Sequence, residues 1–147
     1  MKKALFISLA LLILGACSGK KSREKLQEEV IATWDETDKP KAAKYYDIID
    51  GKKVKVEEVF FHPNGAVSRE ESYNKDGKAH GEWKIYYPTG AKRAIFYFKE
   101  GVREGKYTTY FENGKVNITG EYKNNKQTGV WKTFYENGKL KKEENFN

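Results

Sequence analysis

Gly105-Lys106-Tyr107-Thr108-Thr109-Tyr110-Phe111-Glu112-Asn113-Gly114-Lys115-Val116-Asn117-Ile118-Thr119-Gly120-Glu121-Tyr122-Lys123-Asn124-Asn125 carries one full structural unit. Tyr107, Thr109 and Phe111 share one side of an extended strand, and Tyr110 points to the other. Glu112-Asn113-Gly114 interrupts the run. Asn-Gly between apolar alternations is a strong hairpin signal, because both residues tolerate positive φ. After the turn, Val116, Ile118 and Tyr122 alternate with Lys115, Asn117 and Glu121, which predicts a return strand with one apolar face. Asn124-Asn125 turns the chain once more, since Asn is the next most tolerant residue after Gly of the left-handed region.

The same unit recurs along the chain. Gly65, Gly90, Gly114 and Gly138 are spaced 25, 24 and 24 apart, and Gly81, Gly105 and Gly129 are spaced 24 and 24. Trp83, Tyr107 and Trp131 keep the 24-residue period, as do Tyr86, Tyr110 and Phe134. Eight residues after each hairpin glycine stands Tyr73, Phe98, Tyr122 or Phe146. Such interlocked periods are the signature of a repeat architecture. The remaining hairpin turns are Pro63-Asn64-Gly65, Pro88-Thr89-Gly90 and Glu136-Asn137-Gly138, and units are joined at Asp76-Gly77 and Glu100-Gly101. An earlier hairpin is expected at Tyr45-Tyr46-Asp47-Ile48-Ile49 with its turn at Asp50-Gly51, outside the period. The predicted fold is all-β, an elongated antiparallel meander of repeated hairpins over 45–147, with units near 57–81, 82–105, 106–129 and 130–147. Equivalent rings would lie two strands apart, about 9 to 10 Å, so Trp83, Tyr107, Trp131, Tyr73, Phe98, Tyr122 and Phe146 form the repeat core.

Gly77-Lys78-Ala79-His80-Gly81-Glu82-Trp83 followed by Tyr86-Tyr87-Pro88-Thr89-Gly90 resembles the MORN repeat, and more closely its bacterial variant. Gly129-Val130-Trp131 with Phe134-Tyr135-Glu136-Asn137-Gly138 resembles it again, as does the stretch quoted first. The first unit departs, with Glu58 at the Trp position and His62 where Tyr or Phe is usual, as suits a capping repeat. The resemblance implies a repeat scaffold. Several such proteins sit at membranes, where they organise partners or contact phospholipids. Bacterial relatives are often labelled antitoxin-like, and others look like surface proteins that contact host cells.

Composition agrees with a thin β protein. Tyr and Phe supply 18 of 21 aromatics, Gly numbers 13, Pro 3, and mean hydropathy is -0.85. Net charge is +7, and loss of Lys2 and Lys3 with a signal peptide would take it to +5. A surface of this kind favours solubility, and an exported protein rarely meets nucleic acid, so none is expected as a partner.

The N-terminus reads MKKALFISLALLILGAC. A Lys-Lys start and an apolar run from Ala4 to Leu14, too short to span a bilayer, match a signal peptide over 1–16. Leu14-Gly15-Ala16-Cys17 resembles the bacterial lipobox. The resemblance implies a diacylglyceryl thioether on Cys17 and acylation of its amine by palmitate or a similar chain. Membrane attachment would then be effectively permanent. Ser18 and Gly19, in place of Asp, point to the outer membrane if the source has two membranes, and otherwise to the cell membrane, on the exported side. As the only cysteine, Cys17 excludes an internal disulfide. Residues 17–44 are expected as a tether, flexible or with a short helix placing Leu26, Val30 and Trp34 on one face, ended by Asp35–Pro40.

No catalytic set is legible. His62 and His80 lie eighteen apart without ligand spacing, so neither a metal nor a cofactor is expected. The aromatic rows admit two readings. They either cover the sheet's own apolar face or form a ring-lined groove flanked by Lys. Tyr86, Tyr110 and Phe134, with Lys84 and Lys132, form the candidate binding face, because rings on both faces exceed what one layer needs. The expected role is a lipid-anchored, monomeric binding or scaffold module of the cell envelope, taking a protein, glycan or lipid-headgroup ligand. An antitoxin-like or immunity protein and a host-facing adhesin are the alternatives.

Overall fold

The computed structural model describes residues 27–34 and 38–147. The expected signal peptide, Cys17 and the first part of the tether lie outside the described residues. Strands β1 (Gln27–Thr33), β2 (Pro40–Ile49), β3 (Lys52–Phe61), β4 (Val67–Ser72), β5 (Gly81–Tyr86) and β6 (Lys92–Lys99) come first. The two-residue β7 (Val102–Arg103), then β8 (Gly105–Tyr110), β9 (Val116–Lys123), β10 (Lys126–Phe134) and β11 (Leu140–Phe146) follow. All join one antiparallel sheet in chain order, except that β7 pairs only with β6 and β8 takes the next place. The fold is all-β, and among the described residues there is no helix.

Turn chemistry explains the meander. In each of four hairpins the glycine amide donates to the carbonyl three residues before it, as in Gly65 N to His62 O (2.8 Å) and Gly114 N to Phe111 O (2.9 Å). Gly65, Gly90, Gly114 and Gly138 hold φ between 83 and 91°, a region closed to most side chains. Asp50-Gly51, Glu100-Gly101 and Asn124-Asn125 put both residues at positive φ, as a two-residue hairpin with matched twist requires. Asn125 therefore does at φ 66° what Gly51 does at 74°.

Successive turns are also stapled sideways. Asn64 Nδ2 donates to Pro88 O (2.8 Å) and Asn113 Nδ2 to Glu136 O (3.3 Å). Thr89, at the same repeat position, reaches Glu112 Oε1 at 2.9 Å. One position on, Gly65, Gly90 and Gly114 leave space beside the staple.

A β-bulge in every hairpin changes part of the predicted facing. Ile85 opposes Ala94 but Tyr86 opposes Lys92, so Arg93 is the extra residue. Ser68, Asn117 and Lys141 play this part in the other units. Consequently Val116 opposes Tyr110 while Ile118 opposes Thr109, which puts Val116 and Ile118 on different faces rather than one. A bulge flips every residue beyond it.

The second correction concerns the tether. The stretch expected as a short helix bearing Val30 and Trp34 is strand over Gln27–Thr33, paired with β2 from Gln27↔Tyr46 to Thr33↔Pro40. A helix there would have left its apolar stripe against nothing, whereas the edge of β2 offers unpaired backbone groups. The β-branched run Val30-Ile31-Ala32-Thr33 suits that edge. The sheet therefore begins well before residue 45, and the Tyr45–Ile49 hairpin is its second and third strands.

Candidate functional site: the two faces of the sheet

Register divides the side chains into two faces. One carries the expected repeat core. Trp83 opposes Phe96, and Tyr107 opposes Gly120, over which Trp131 lies. The rings touch in sequence: Tyr73–Trp83 (5.9 Å), Trp83–Phe98 (4.7 Å), Phe96–Tyr107 (6.2 Å), Tyr107–Trp131 (5.5 Å), Tyr122–Trp131 (5.2 Å) and Trp131–Phe146 (6.2 Å). Each such pair adds about 0.5–1.5 kcal/mol beyond its buried area. The Arg103 guanidinium stands over both Phe96 (5.2 Å) and Tyr122 (5.3 Å), bridging two units of this ladder. Burial raises the pKa of Tyr107, so its phenol stays neutral.

The ladder is capped by charge. Glu71 and Glu58 oppose each other beyond Trp83, and both are buried, at 6% and 9% exposure. Lys55 Nζ holds Glu58 at 2.6 Å, and Arg69 Nε lies 2.7 Å from Glu71. Tyr73 donates its hydroxyl to Glu71, and Lys55 sits over the same ring at 3.8 Å. Burial first, and the Glu71 hydrogen bond second, push the Tyr73 pKa up. Glu58 at the Trp position is thus the end of the ring stack and the start of an ionic one.

The opposite face gathers all five candidate binding residues, but in two groups. Lys84 and Lys132 belong to one cross-strand row, through Ile95, Thr108 and Thr119. Lys84 is committed locally: its ammonium meets Glu82 at 2.8 Å and Glu70 at 3.5 Å. Burial alone would lower its pKa, but the Glu82 hydrogen bond and the two carboxylate charges outweigh it and hold the group at about 12. Tyr86 donates to Glu70 (3.3 Å) and Tyr97 to Glu82 (3.0 Å), closing the cluster. Tyr110 and Phe134 instead line a shallow groove of about 570 Å³, with Thr108, Thr119 and Val116 in its floor and Lys106 and Lys115 beside it. Lys132 ion-pairs with exposed Glu143 at 3.3 Å, outside this groove. Val116, Thr108 and Lys106 were not singled out from the sequence. The polar residue at each bulge, Ser68, Arg93, Asn117 or Lys141, is the signal that would have moved Val116 into the site.

His80 does not face either site. Its Nδ1 lies 3.1 Å from Glu100 Oε1, tying one inter-unit turn to the next, so it acts as a turn residue. Among the described residues no group of three His, Cys, Asp or Glu could hold a metal ion, and no helix is long and apolar enough to cross a membrane.

A single sheet of stacked hairpins, in which each unit contacts only its neighbours, defines a repeat protein of the solenoid type. Residues 79–100, 103–124 and 127–147 match the MORN repeat variant, and β5–β11 are built from these three units. The unit expected at 57–81, which departs at Glu58 and His62, precedes the matched stretches apart from its last residues. MORN repeats in general serve as binding or scaffold modules and not as catalysts. No curated protein and no solved structure matches the chain.

Proposed function

We infer that this chain is a lipid-anchored, non-catalytic binding module of a bacterial cell envelope, presenting the groove between Tyr110 and Phe134 to a partner. The observation that supports it is the inequality of the two faces. One is filled by its own rings, whereas the other keeps Tyr110 and Phe134 half-buried around an open groove. A face needed only to close the sheet would not hold such a groove. The lipobox-like Leu14-Gly15-Ala16-Cys17 supports the anchor. An anchored array confines a weak surface to the membrane plane and raises its effective concentration there.

The test has two arms in intact cells. In the first, wild-type chain and Cys17→Ala are labelled with radioactive palmitate and fractionated. The wild type should carry label and sediment with membranes, and Cys17→Ala should lose the label. In the second, a photo-crosslinker at Tyr110 should trap a discrete partner that one at Lys99, on an outer turn, does not. A cognate toxin or a host protein at that position would specify the kind of binding. An unlabelled wild type refutes the anchor, and equal crosslinking from both positions refutes the groove.

A further inference from the structure

A second concavity lies away from the Tyr110 groove, at the turn-side end of β3–β6, where the ring ladder does not reach. Its volume is about 420 Å³. Phe60, Arg69 and Ile85 oppose one another there in register. Trp34, Lys41 and Arg93 close around them, and Arg93 is the extra residue of a bulge. The lining holds three strong cations and no carboxylate.

The state of those groups is unusual. Lys41 stands over the Trp34 ring at 5.1 Å and Arg93 over Tyr87 at 5.7 Å, and neither has an ion-pair partner among the described residues. Arg69 packs over Phe60 at 4.1 Å. Its Nε is 2.7 Å from Glu71 but out of line for a hydrogen bond, so Glu71 offsets charge without satisfying that N–H. Trp34 Nε1 is buried and has no acceptor. Two buried N–H donors without acceptors, among three cations and no lining carboxylate, cost free energy unless an acceptor enters. A surface that merely needed solubility would put the cations in water and turn the indole N–H outward.

We propose that Trp34, Lys41, Arg69 and Arg93 form a binding site for a phosphate-class oxyanion, distinct from the Tyr110 groove. The indole and guanidinium N–H groups supply directed donors, and Lys41 supplies a point charge. Phe60 and Ile85 exclude water from one side and so strengthen those charges. The site depends on β1, because Trp34 is carried next to Lys39 by the backbone bond Trp34 N to Lys39 O (2.9 Å). It therefore belongs to the part of the chain outside the matched repeats.

Two sources share this chemistry, a free phosphomonoester and the diester of a lipid headgroup. The test uses the full chain, titrated with inorganic phosphate and with soluble dihexanoyl-phosphatidylglycerol at constant ionic strength, against chloride as control. Saturable binding of either should appear by calorimetry. Arg93→Gln together with Lys41→Gln should weaken it by about tenfold or more, and Trp34→Phe, which keeps the ring and removes the N–H, by about threefold to tenfold. Both variants should keep the wild-type circular dichroism and melting curve, since neither cation has an ion-pair partner to lose. Preference for phosphate assigns a monoester, and preference for the short-chain lipid a headgroup. Unchanged binding in the double variant, or binding no tighter than chloride, overturns the proposal. Neither result bears on the Tyr110 groove or the Cys17 anchor.

Discussion

The periodic part of the sheet, β5–β11, and the part before it, β1–β4, bury opposite faces. In β5–β11 the ladder face is closed by Trp83, Phe96, Tyr107 and Trp131, and the other face is polar with a groove. In β1–β4 that same ladder face carries the ionic cluster of Lys55, Glu58, Arg69 and Glu71, and the apolar cluster of Ala43, Tyr45 and Val59 lies on the other side. Val59 and Ala43 oppose each other at 0% exposure. One continuous hydrogen-bonded sheet can change its buried face along its length, because the ladder of backbone bonds is indifferent to which side is apolar. The crossover falls between Glu71 and Trp83, neighbours on the same face. The lesson is that a one-layer sheet gains stability strand by strand, from local cross-strand pairs rather than from one shared core.

The comparison can be broken most severely at Trp131. Trp131→Ala removes contacts to Tyr107, Tyr122 and Phe146 together, and should lower unfolding free energy by about 3–5 kcal/mol in urea titration. A loss as small as that of an exposed residue would show that the ladder is not the core of the periodic part. Gly120→Ala attacks the same ring from beneath. An added Cβ would fall 2.2 Å from the indole, so Trp131 must move, at about 1–3 kcal/mol, with its fluorescence shifted toward that of exposed Trp.

On the ionic side, Glu71→Gln keeps the shape and removes the charge. Arg69 then lacks its counterion, and Tyr73 keeps only a neutral acceptor. We expect about 1–3 kcal/mol less stability, with the Tyr73 hydroxyl titrating closer to its ordinary value. An unchanged Tyr73 titration would show that Glu71 does not hold the phenol.

The smallest effect is at the stapled turns. The Asn74 hydrogen bond first, then the charges of His80 and Lys78, lower the Glu100 pKa below 4.5 although the group is fully exposed. A carboxylate with a depressed native pKa stabilises above its unfolded pKa, and that contribution is lost as pH falls through the native one. Loosening of this turn should therefore begin only below about pH 4.5. In an NMR titration of the Glu100 carboxyl, Asn74→Ala should move the midpoint up toward 4.5, and an unmoved midpoint would remove Asn74 as the cause.

The strand count of the periodic part, its turns and its ladder rings were legible because each rests on local chemistry repeated at a fixed spacing. Gly90 needs positive φ wherever the chain goes next, and Trp83 alternates with Lys84 in any strand. Val116 was misplaced because its facing depends on where Asn117 bulges against β8, and β8 belongs to the other half of the hairpin. Val30 and Trp34 read as a helical stripe because 3.6- and 2-residue periods are hard to separate over so few apolar residues. The free edge of β2 decided between them. The groove residues Tyr110 and Phe134 were legible as outward rings, but the separation of Lys84 and Tyr86 from them was not. That follows from Glu70, which meets Lys84 only when β4 pairs with β5.

The sequence by itself thus determined a meander of hairpins at a 24-residue period, with a ring ladder on one face, because turn preference and alternation act within a few residues. Only the tertiary structure decided where the buried face changes sides, how β1 extends the sheet and which cations are left without partners. Those outcomes depend on register between strands, and register sets which distant side chains meet.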